Sequence, residues 1–516
     1  MLDEALAAVE AAGGSITNAA LALGIPRPTF QHRVTAARRA SSAPGAQPRK
    51  PTVRRFLLTA AQDDTAIHEG FWTNLLAYAA HLGAEILVGG FTYQKGLFED
   101  HASRSAVFAE AVRPYLRHEN VQCGPLLFAA KMNILPTAVR PLSGLETYSR
   151  GAWAVFPHAK TQMLSVPAMA GQHPAHVFTT GACTQPNYIE KKAGLKAEFH
   201  HTIGAVIVEV CEDDVVFARH IGATSDGDFQ DLDALVRRGE VTQGNRIEHL
   251  TAGDLHIEKG DPAVFLAAFG YDLSRREITS DDSMLHTLRP RHVTWHDIVD
   301  FMARNHHRRQ DPHFAARMLT NGTDGVENEI RAAAAFLRAT AYDWTTSVVA
   351  ASNHHDALTR WLREADPRAD PRNMGYWCRL NAEVCRRIDI GDRGFDIFRW
   401  ALAQHDARGL DDIVFVPRNG SYRVCQTHGG IEVGAHGDEG PNGARGPVSL
   451  VRVAEKMNVG HAHTPQVLDG LWIAGLCGML DQGYNSGPSG WSHTQIVTTP
   501  NGKRQLVTIR DGRWRA

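Results

Sequence analysis

The sequence predicts an α/β protein with a short helical unit in front of it, and three observations point there. The first 40 residues show helical spacing and no strand-like run; from residue 53 apolar runs of strand length alternate with amphipathic stretches; from residue 245 strand-like runs end repeatedly in clusters of Asp, Asn and His. With 516 residues, 43% apolar and 21% charged, the chain has ordinary globular composition and room for about three domains.

Within residues 1–40, Leu2, Leu6, Ala7 and Val9 predict one helix closed by Gly13 and Gly14. Ser15 or Thr17 caps a second that runs to Leu23, Gly24-Ile25-Pro26 turns the chain, and Thr29 caps a third carrying Phe30 and Val34. Helix, short Gly-containing turn and basic helix is the helix-turn-helix pattern, whose last helix enters the DNA major groove. It resembles the short terminal module of DNA-inversion stimulators. Residues 41–52, SSAPGAQPRKPT, are too rich in Pro, Ser and Gly for regular structure and read as a linker. Arg27, Arg33, Arg38, Arg39, Arg49 and Lys50, with Arg54 and Arg55, occur with no acid among them. The whole chain balances 54 Lys+Arg against 56 Asp+Glu, so a polyanion would be met by this local excess and not by the net charge of −2. A surface helical hairpin with a solvated basic tail is the other reading of the same residues.

Residues 55–61, 71–82 and 85–93 predict strand, amphipathic helix and strand, a βαβ-like unit. Further strand-like runs lie at 125–130, 152–156, 177–180, 205–210 and 214–218, and a charged, helix-like stretch at 231–238 closes an accessory α/β domain spanning 53–240. There is no nucleotide-binding glycine fingerprint and no internal repeat. The seven cysteines are scattered, odd in number and contain no CxxC pair, which argues against a disulfide framework or a structural zinc knuckle and for a reducing cytoplasm. MLDEALAAVEAAGG carries acids where a signal peptide needs bases, and no apolar run approaches the ~18 residues that cross a bilayer, so no membrane partner is expected. Histidine is the unusual entry in the composition, with 27 against 20 Phe, 10 Tyr and 10 Trp, and it is the commonest metal ligand.

The chemistry lies after residue 245. Run 247–252 leads into Gly253-Asp254-Leu255-His256, and run 292–295 into His296-Asp297-Ile298-Val299-Asp300. Run 346–351 leads into Ser352-Asn353-His354-His355-Asp356, run 430–435 into His436-Gly437-Asp438, and run 457–459 into Gly460-His461-Ala462-His463. Open α/β sheets place their sites at such strand ends. In an extended segment DxH and HxH direct alternate side chains to one side, so each short motif aims two donors at one point. One DxH in a chain this rich in His is weak, but five clusters in order are specific.

That ordered set, DxH, GDxxD, GNH(D/E), H and GHxH, resembles the signature of the calcineurin-like metallophosphoesterases. The resemblance implies a four-layer αββα sandwich over residues 245–516, two divalent metal ions and phosphoester hydrolysis by a bridging hydroxide. It also implies that Asp254, His256 and His463 hold one ion, that Asn353, His436 and His461 hold the other, and that Asp297 bridges them. Asp300 then orients a ligand from the outer shell, and His354, with Asp356 as its acid, serves the phosphate or the leaving oxygen. A ligand set rich in His and Asn suits Mn, with Fe, Zn or Mg as alternatives.

The chain departs from the pattern in two places. His296 stands where the family has Gly, and SNHHD moves Asp356 one position along, which leaves His354 and His355 as alternatives for the catalytic histidine. His428 competes with His436 for the fourth motif, but the strand-like GIEVGA before His436 and its 25-residue spacing to His461 favour His436. Asn305, His306 and His307 follow the second motif on a predicted helix, either lining a substrate groove or forming an exposed polar face.

The segments GDLHIEKGD, WHDIVDF, HGDEGPNGARG, GHAHTPQ and YNSGPSGWSH further resemble the pre-early DNA-transfer deoxyribonucleases of T-five-type bacteriophages and their prophage relatives. The likeness is clear in the C-terminal half, loose over 53–240 and absent from the first 40 residues. It implies a Mn-dependent deoxyribonuclease of little sequence preference, acting on DNA in the host cytoplasm, and a homo-oligomer is expected. Two alternatives are a small-molecule phosphatase or cyclic-nucleotide phosphodiesterase, and a DNA-binding regulator with a mainly structural phosphoesterase fold. The complete ligand set counts against the second.

Overall fold

The structure, a computed structural model, describes residues 53–93, 106–305, 308, 311–406 and 410–516, together with 7–9, 11–12, 19–20, 22–23, 30 and 34. The chain divides into two compact units, Met1–Thr52 and Val53–Ala516. In the first, Val9, Ala19, Ala20, Phe30 and Val34 form a small buried cluster. The N–H groups of Ala12 and Leu23 donate to the carbonyls of Ala8 and Ala19 at helical spacing. Arg27, Arg33, Arg38, Arg39, Arg49 and Lys50 lie outside the described residues, as does most of the expected helix-turn-helix.

The second unit is mixed α/β. Its first sheet has five strands, in the order Val216–Gly222, Gly204–Val210, Arg54–Gln62, Glu85–Phe91 and Leu116–Arg117. Arg54–Gln62 and Glu85–Phe91 pair in parallel across the helix Glu69–Leu82, the βαβ unit read from the sequence. The helix starts where the His68 ring accepts the Phe71 N–H and stops at Gly83, whose φ of 62° is costly for any residue with a Cβ.

The second sheet has six strands: Val414–Val416, Thr346–Ala350, His292–Trp295, His249–Thr251, Thr494–Thr498 and Arg504–Thr508. The first four run parallel, so their C-terminal ends lie along one edge of the sheet, and the last two are added by antiparallel pairing, each to the strand before it. The third sheet has ten strands and joins 423–473 to 121–179 through antiparallel pairing of Gln466–Leu468 with Met163–Val166. The sheets therefore cross the boundary expected at 240–245, and 53–516 is one unit instead of two bodies. The hairpin Gln466–Leu468/Leu471–Ile473 leaves a free edge that only a distant strand can satisfy. Phe56 and Val206 of the first sheet, Phe178 and Trp472 of the third, and Ile496 and Leu506 of the second share one apolar core.

Residues 231–238 are not helical. They belong to a three-stranded sheet of Phe229–Asp231, Ala234–Arg237 and Glu240–Thr242. One of their charges is buried: both oxygens of Asp231 accept from the Arg219 guanidinium at 2.6 Å, and Oδ2 also accepts from the Tyr78 hydroxyl at 2.6 Å, while Arg237 and Arg238 are exposed. Ala234 and Val236 alternate inward, a period of two that the charges mask. None of the seven cysteines is disulfide-bonded, and among the described residues no helix is long and apolar enough to cross a membrane.

Candidate metal centre

The parallel strands of the six-stranded sheet deliver the first three clusters. His249–Thr251 is followed by Asp254 and His256, His292–Trp295 by His296, Asp297 and Asp300, and Thr346–Ala350 by the helix Asn353–Glu364. Ser352 caps that helix by accepting the His355 N–H, which puts Asn353 and His354 in its first turn. The ten-stranded sheet supplies the rest: His436 follows Ile431–Glu432, and His461 and His463 follow Met457–Val459. Gly460 makes the turn possible, because a Cβ there would stand 2.2 Å from Asp254 Oδ1.

Ligand atoms of Asp254, His256, Asp297 and His463 all lie within 4.8 Å of one another, and all four residues are buried. His463 Nε2 is 3.0 Å from Asp254 Oδ2 and 3.2 Å from His256 Nε2. A second group joins Asp254, His296 and His436, and a third joins His256, Asp300 and His354. Asp297 Oδ2 stands between the groups, 3.2 Å from His436 Nε2, 3.7 Å from His256 Nε2 and 4.0 Å from His354 Nε2. His461 packs its ring against His436 at 5.2 Å, and its backbone N–H donates to Asp254 at 2.8 Å. Asn353, His354, His461 and His463 line one cavity of 770 Å³ together with Asp297.

These residues fit a metal ion. Asp297 Oδ1, Asn353 Oδ1 and His296 Nε2 are buried without a hydrogen-bond partner, which is costly unless something electropositive meets them. The facing Nε2 atoms of His256 and His463 can share one proton or one cation between their lone pairs. Burial opposes a charge on His436, yet the Asp297 and Asp254 carboxylates push its imidazole up to about 9. The cluster thus demands positive charge, a demand that a divalent cation meets. His256, Asp297, His461 and His463 all have positive φ, between 41° and 69°. That left-handed backbone costs about 1–3 kcal/mol at each non-Gly residue and collects at functional sites.

Asp300 holds two histidines at once. Its Oδ1 lies 3.2 Å from His256 Nδ1, and its backbone carbonyl accepts from His354 Nδ1 at 2.8 Å. The carbonyl fixes His354 as the tautomer that aims Nε2 at the cluster, while the carboxylate stands beside His256 Nδ1 as an ion-pair partner. Lys259 Nζ holds Asp300 Oδ2 at 2.8 Å. Burial works against ionisation of Asp300, but His256 and Lys259 outweigh it and keep the carboxyl well below the usual range.

The structure separates the two neighbouring histidines. His354 lines the cavity, whereas His355 accepts the Ile298 N–H and stacks on Phe398 with centroids 4.2 Å apart. Burial pushes the His355 imidazole down to about 3, so it is a neutral packing residue. Asp356 is not brought to the cluster; it pairs at 2.7 Å with Arg418, which also holds Asp438. The helix turns about 100° per residue, so an acid two positions after His354 points elsewhere. His428 is exposed and bonds Thr427, so His436 is the histidine in the cluster. Asn305 lines the cavity after a short 3-10 turn, Met302–Arg304, while His306 and His307 lie outside the described residues.

Sequence reasoning missed three features. His296 was visible only as a departure from a pattern, yet its Nδ1 lies 3.4 Å from His436 Nδ1. Lys259 carried no signal beyond its place after the first cluster. Tyr484 and Trp491, which line the same cavity, sit in a Gly- and Ser-rich segment that reads as loop.

Protein A1 of Escherichia phage T5 is 34% identical to the chain over 478 residues, which cover 89% of this chain and 83% of that protein. No family model matches the chain, and no solved structure matches it.

Proposed function

From the premise that the chain belongs to the family of phage T5 Protein A1, we propose that it is a metal-dependent deoxyribonuclease acting in the host cytoplasm. The observation that carries this reading is the position of Asp297 Oδ2 between His256, on one side, and His436, on the other. A carboxylate so placed serves two cations at once. In this reading Asp254, His256 and His463 hold one, Asn353, His436 and His461 the other, and Mn is the metal that suits the donors. In this reading the six- and ten-stranded sheets are the two β layers of a four-layer αββα sandwich.

The bound cations supply charge neutralisation at phosphorus and lower the pKa of water. The chain's own residues do the rest. Asp297 and Asn353 orient the phosphate side of the cavity. His354, held by the Asp300 carbonyl through Nδ1, presents Nε2 as donor to a phosphoryl or leaving oxygen; burial works against its charge, but Asp297 and Asp300 raise its pKa above the ordinary value, which favours the donor form. Lys259, Arg308 and Arg317 on the cavity wall suit a polyanionic substrate. Arg27, Arg33, Arg38, Arg39, Arg49 and Lys50 of the N-terminal unit add sequence-independent phosphate contacts as part of a helix-turn-helix, and the enzyme works as a homo-oligomer.

The test is digestion of linear, circular and single-stranded DNA by the purified protein with Mn, beside nucleotides and nitrophenyl phosphoesters. Asp297→Asn and His461→Ala should each abolish DNA hydrolysis. Cleavage surviving both substitutions overturns the site, and turnover of nucleotides alone overturns the DNA reading.

A further inference from the structure

We propose that Tyr484, Trp491 and Phe314 form a stacking wall for an unpaired base beside the scissile phosphate, so that the enzyme acts on single-stranded or locally opened DNA. The inference rests on the nuclease reading and names the form of DNA that its site accepts.

The wall begins at the metal centre. The Trp491 ring stands perpendicular to that of His463 with centroids 4.5 Å apart, and Tyr484 meets Trp491 at 5.8 Å. Phe314 lines the same cavity from the opposite segment. Tyr484 is 47% exposed, and Phe314 and Trp491 are only half-buried. Tyr484 and Trp491 belong to none of the apolar cores, and Phe314, which packs partly on the main core, also lines the cavity; aromatic surface left open to water beside a buried ionic cluster is a face for a flat partner. Every base has such a face, and aromatic walls of this kind bind single strands without reading their sequence.

Cations interleave with the rings. Lys259 Nζ lies 5.2 Å from the Tyr484 centroid, and Arg308 lies over Phe314 at 5.9 Å while donating to the Gly483 carbonyl at 2.6 Å. Arg317, exposed on the same cavity, has no ion-pair partner among the described residues and is available to a neighbouring phosphate. The cavity, 770 Å³, lies in the range of about 300–1,000 Å³ that encloses small ligands. That volume is enough for a nucleotide, and a paired base has to leave its stack to reach the wall.

The wall is also held still. Ala168 and Ser489 exchange both backbone hydrogen bonds at 2.8–2.9 Å, and Ser165 Oγ donates to the Gly490 carbonyl at 2.7 Å. Gly260 and Gly478 bridge at the start of the loop. The strand Met163–Val166 thus anchors the segment carrying Trp491, which gives part of the 53–240 region a role at the site.

The experiment compares the full-length protein with Mn on a single-stranded oligonucleotide, the same strand with abasic sites, and a blunt duplex. The wild type should favour the base-bearing strand over the abasic one by about tenfold in KM, the scale of one stacked base, and should cut the single strand faster than the duplex. Tyr484→Ala should remove most of that preference through KM and not kcat, and Tyr484→Phe should restore it. Phe314→Ala, remote from His463, gives an independent measurement. Equal cleavage of abasic and base-bearing strands, faster cleavage of duplex, or a preference that survives both alanine variants overturns the stacking wall while leaving the nuclease standing. No cleavage of any oligonucleotide by the wild type takes both down.

Discussion

Replacing Asp300 by Asn should weaken metal binding while leaving the fold in place. The carboxylate contacts two groups that both present hydrogens, His256 Nδ1 at 3.2 Å and Lys259 Nζ at 2.8 Å. An amide of the same size keeps one accepting oxygen and puts N–H groups where the other was, so one contact becomes donor against donor. Both contacts are ion pairs without hydrogen-bond geometry; taking the loss of one charged contact in a buried site as about 2 kcal/mol gives about a thirtyfold change in an equilibrium constant. That agrees with the roughly 10- to 100-fold effect of removing the partner that orients a metal-bound histidine. The Asp300 carbonyl that holds His354 is untouched by the change, so the loss should fall on metal affinity more than on turnover at saturating metal. Calorimetric titration with Mn, beside DNA hydrolysis at rising Mn, measures both. If Asp300→Asn binds Mn within twofold of wild type, the carboxylate does not orient His256 and the argument fails.

Two further outcomes follow from the geometry. Gly460→Ala puts a methyl 2.2 Å from Asp254 Oδ1 and 3.1 Å from His296 Cγ, so it should cost about 1–3 kcal/mol of stability and abolish Mn binding; a variant that melts and titrates like wild type would show that the turn has room to give. His176 is buried with neither ring nitrogen bonded, 4.5 Å from Trp153, and burial pushes its pKa from 6.5 down to about 3. The folded protein keeps it neutral while the unfolded chain protonates it, so this stability is whole above about pH 6.5 and is lost as the pH falls towards 3. At pH 5 the loss is about 2 kcal/mol. Denaturant unfolding of His176→Phe at pH 7 and pH 5 should show a smaller acid loss than wild type by that amount, and an identical loss would remove His176 from the account.

The legibility of the site in the sequence varied residue by residue. Asp254 and His256 were readable because two donors one residue apart after a strand-like run can meet at one point, and both fall in one group of converging ligand atoms with His463; His461 is in none of these groups and gives its backbone N–H to Asp254. The choice between His354 and His355 was not readable, since it turns on which face of the helix Asn353–Glu364 meets Ile298 and Phe398. Asp356 misled for the same reason: its neighbour in the sequence is the site, but its neighbour in space is Arg418. Residues 231–238 misled because their charges suggested a solvated helix, whereas Asp231 is buried against Arg219.

Local chemistry written along the chain was enough to establish an α/β unit, strand ends loaded with metal-binding side chains, and the types of donor available. Such features depend on backbone periodicity and on residues a few positions apart. Which of the 27 histidines meet is another matter. His436, His461 and His463 come from one sheet and Asp254, His256 and Asp297 from another, so their convergence depends on how the sheets pack through a shared core. The pairing of Gln466–Leu468 with Met163–Val166 likewise brings together strands some 300 residues apart and fixes the loop bearing Trp491. Contacts of that separation are selected by burial and edge pairing over the whole fold, and no short stretch of sequence carries them.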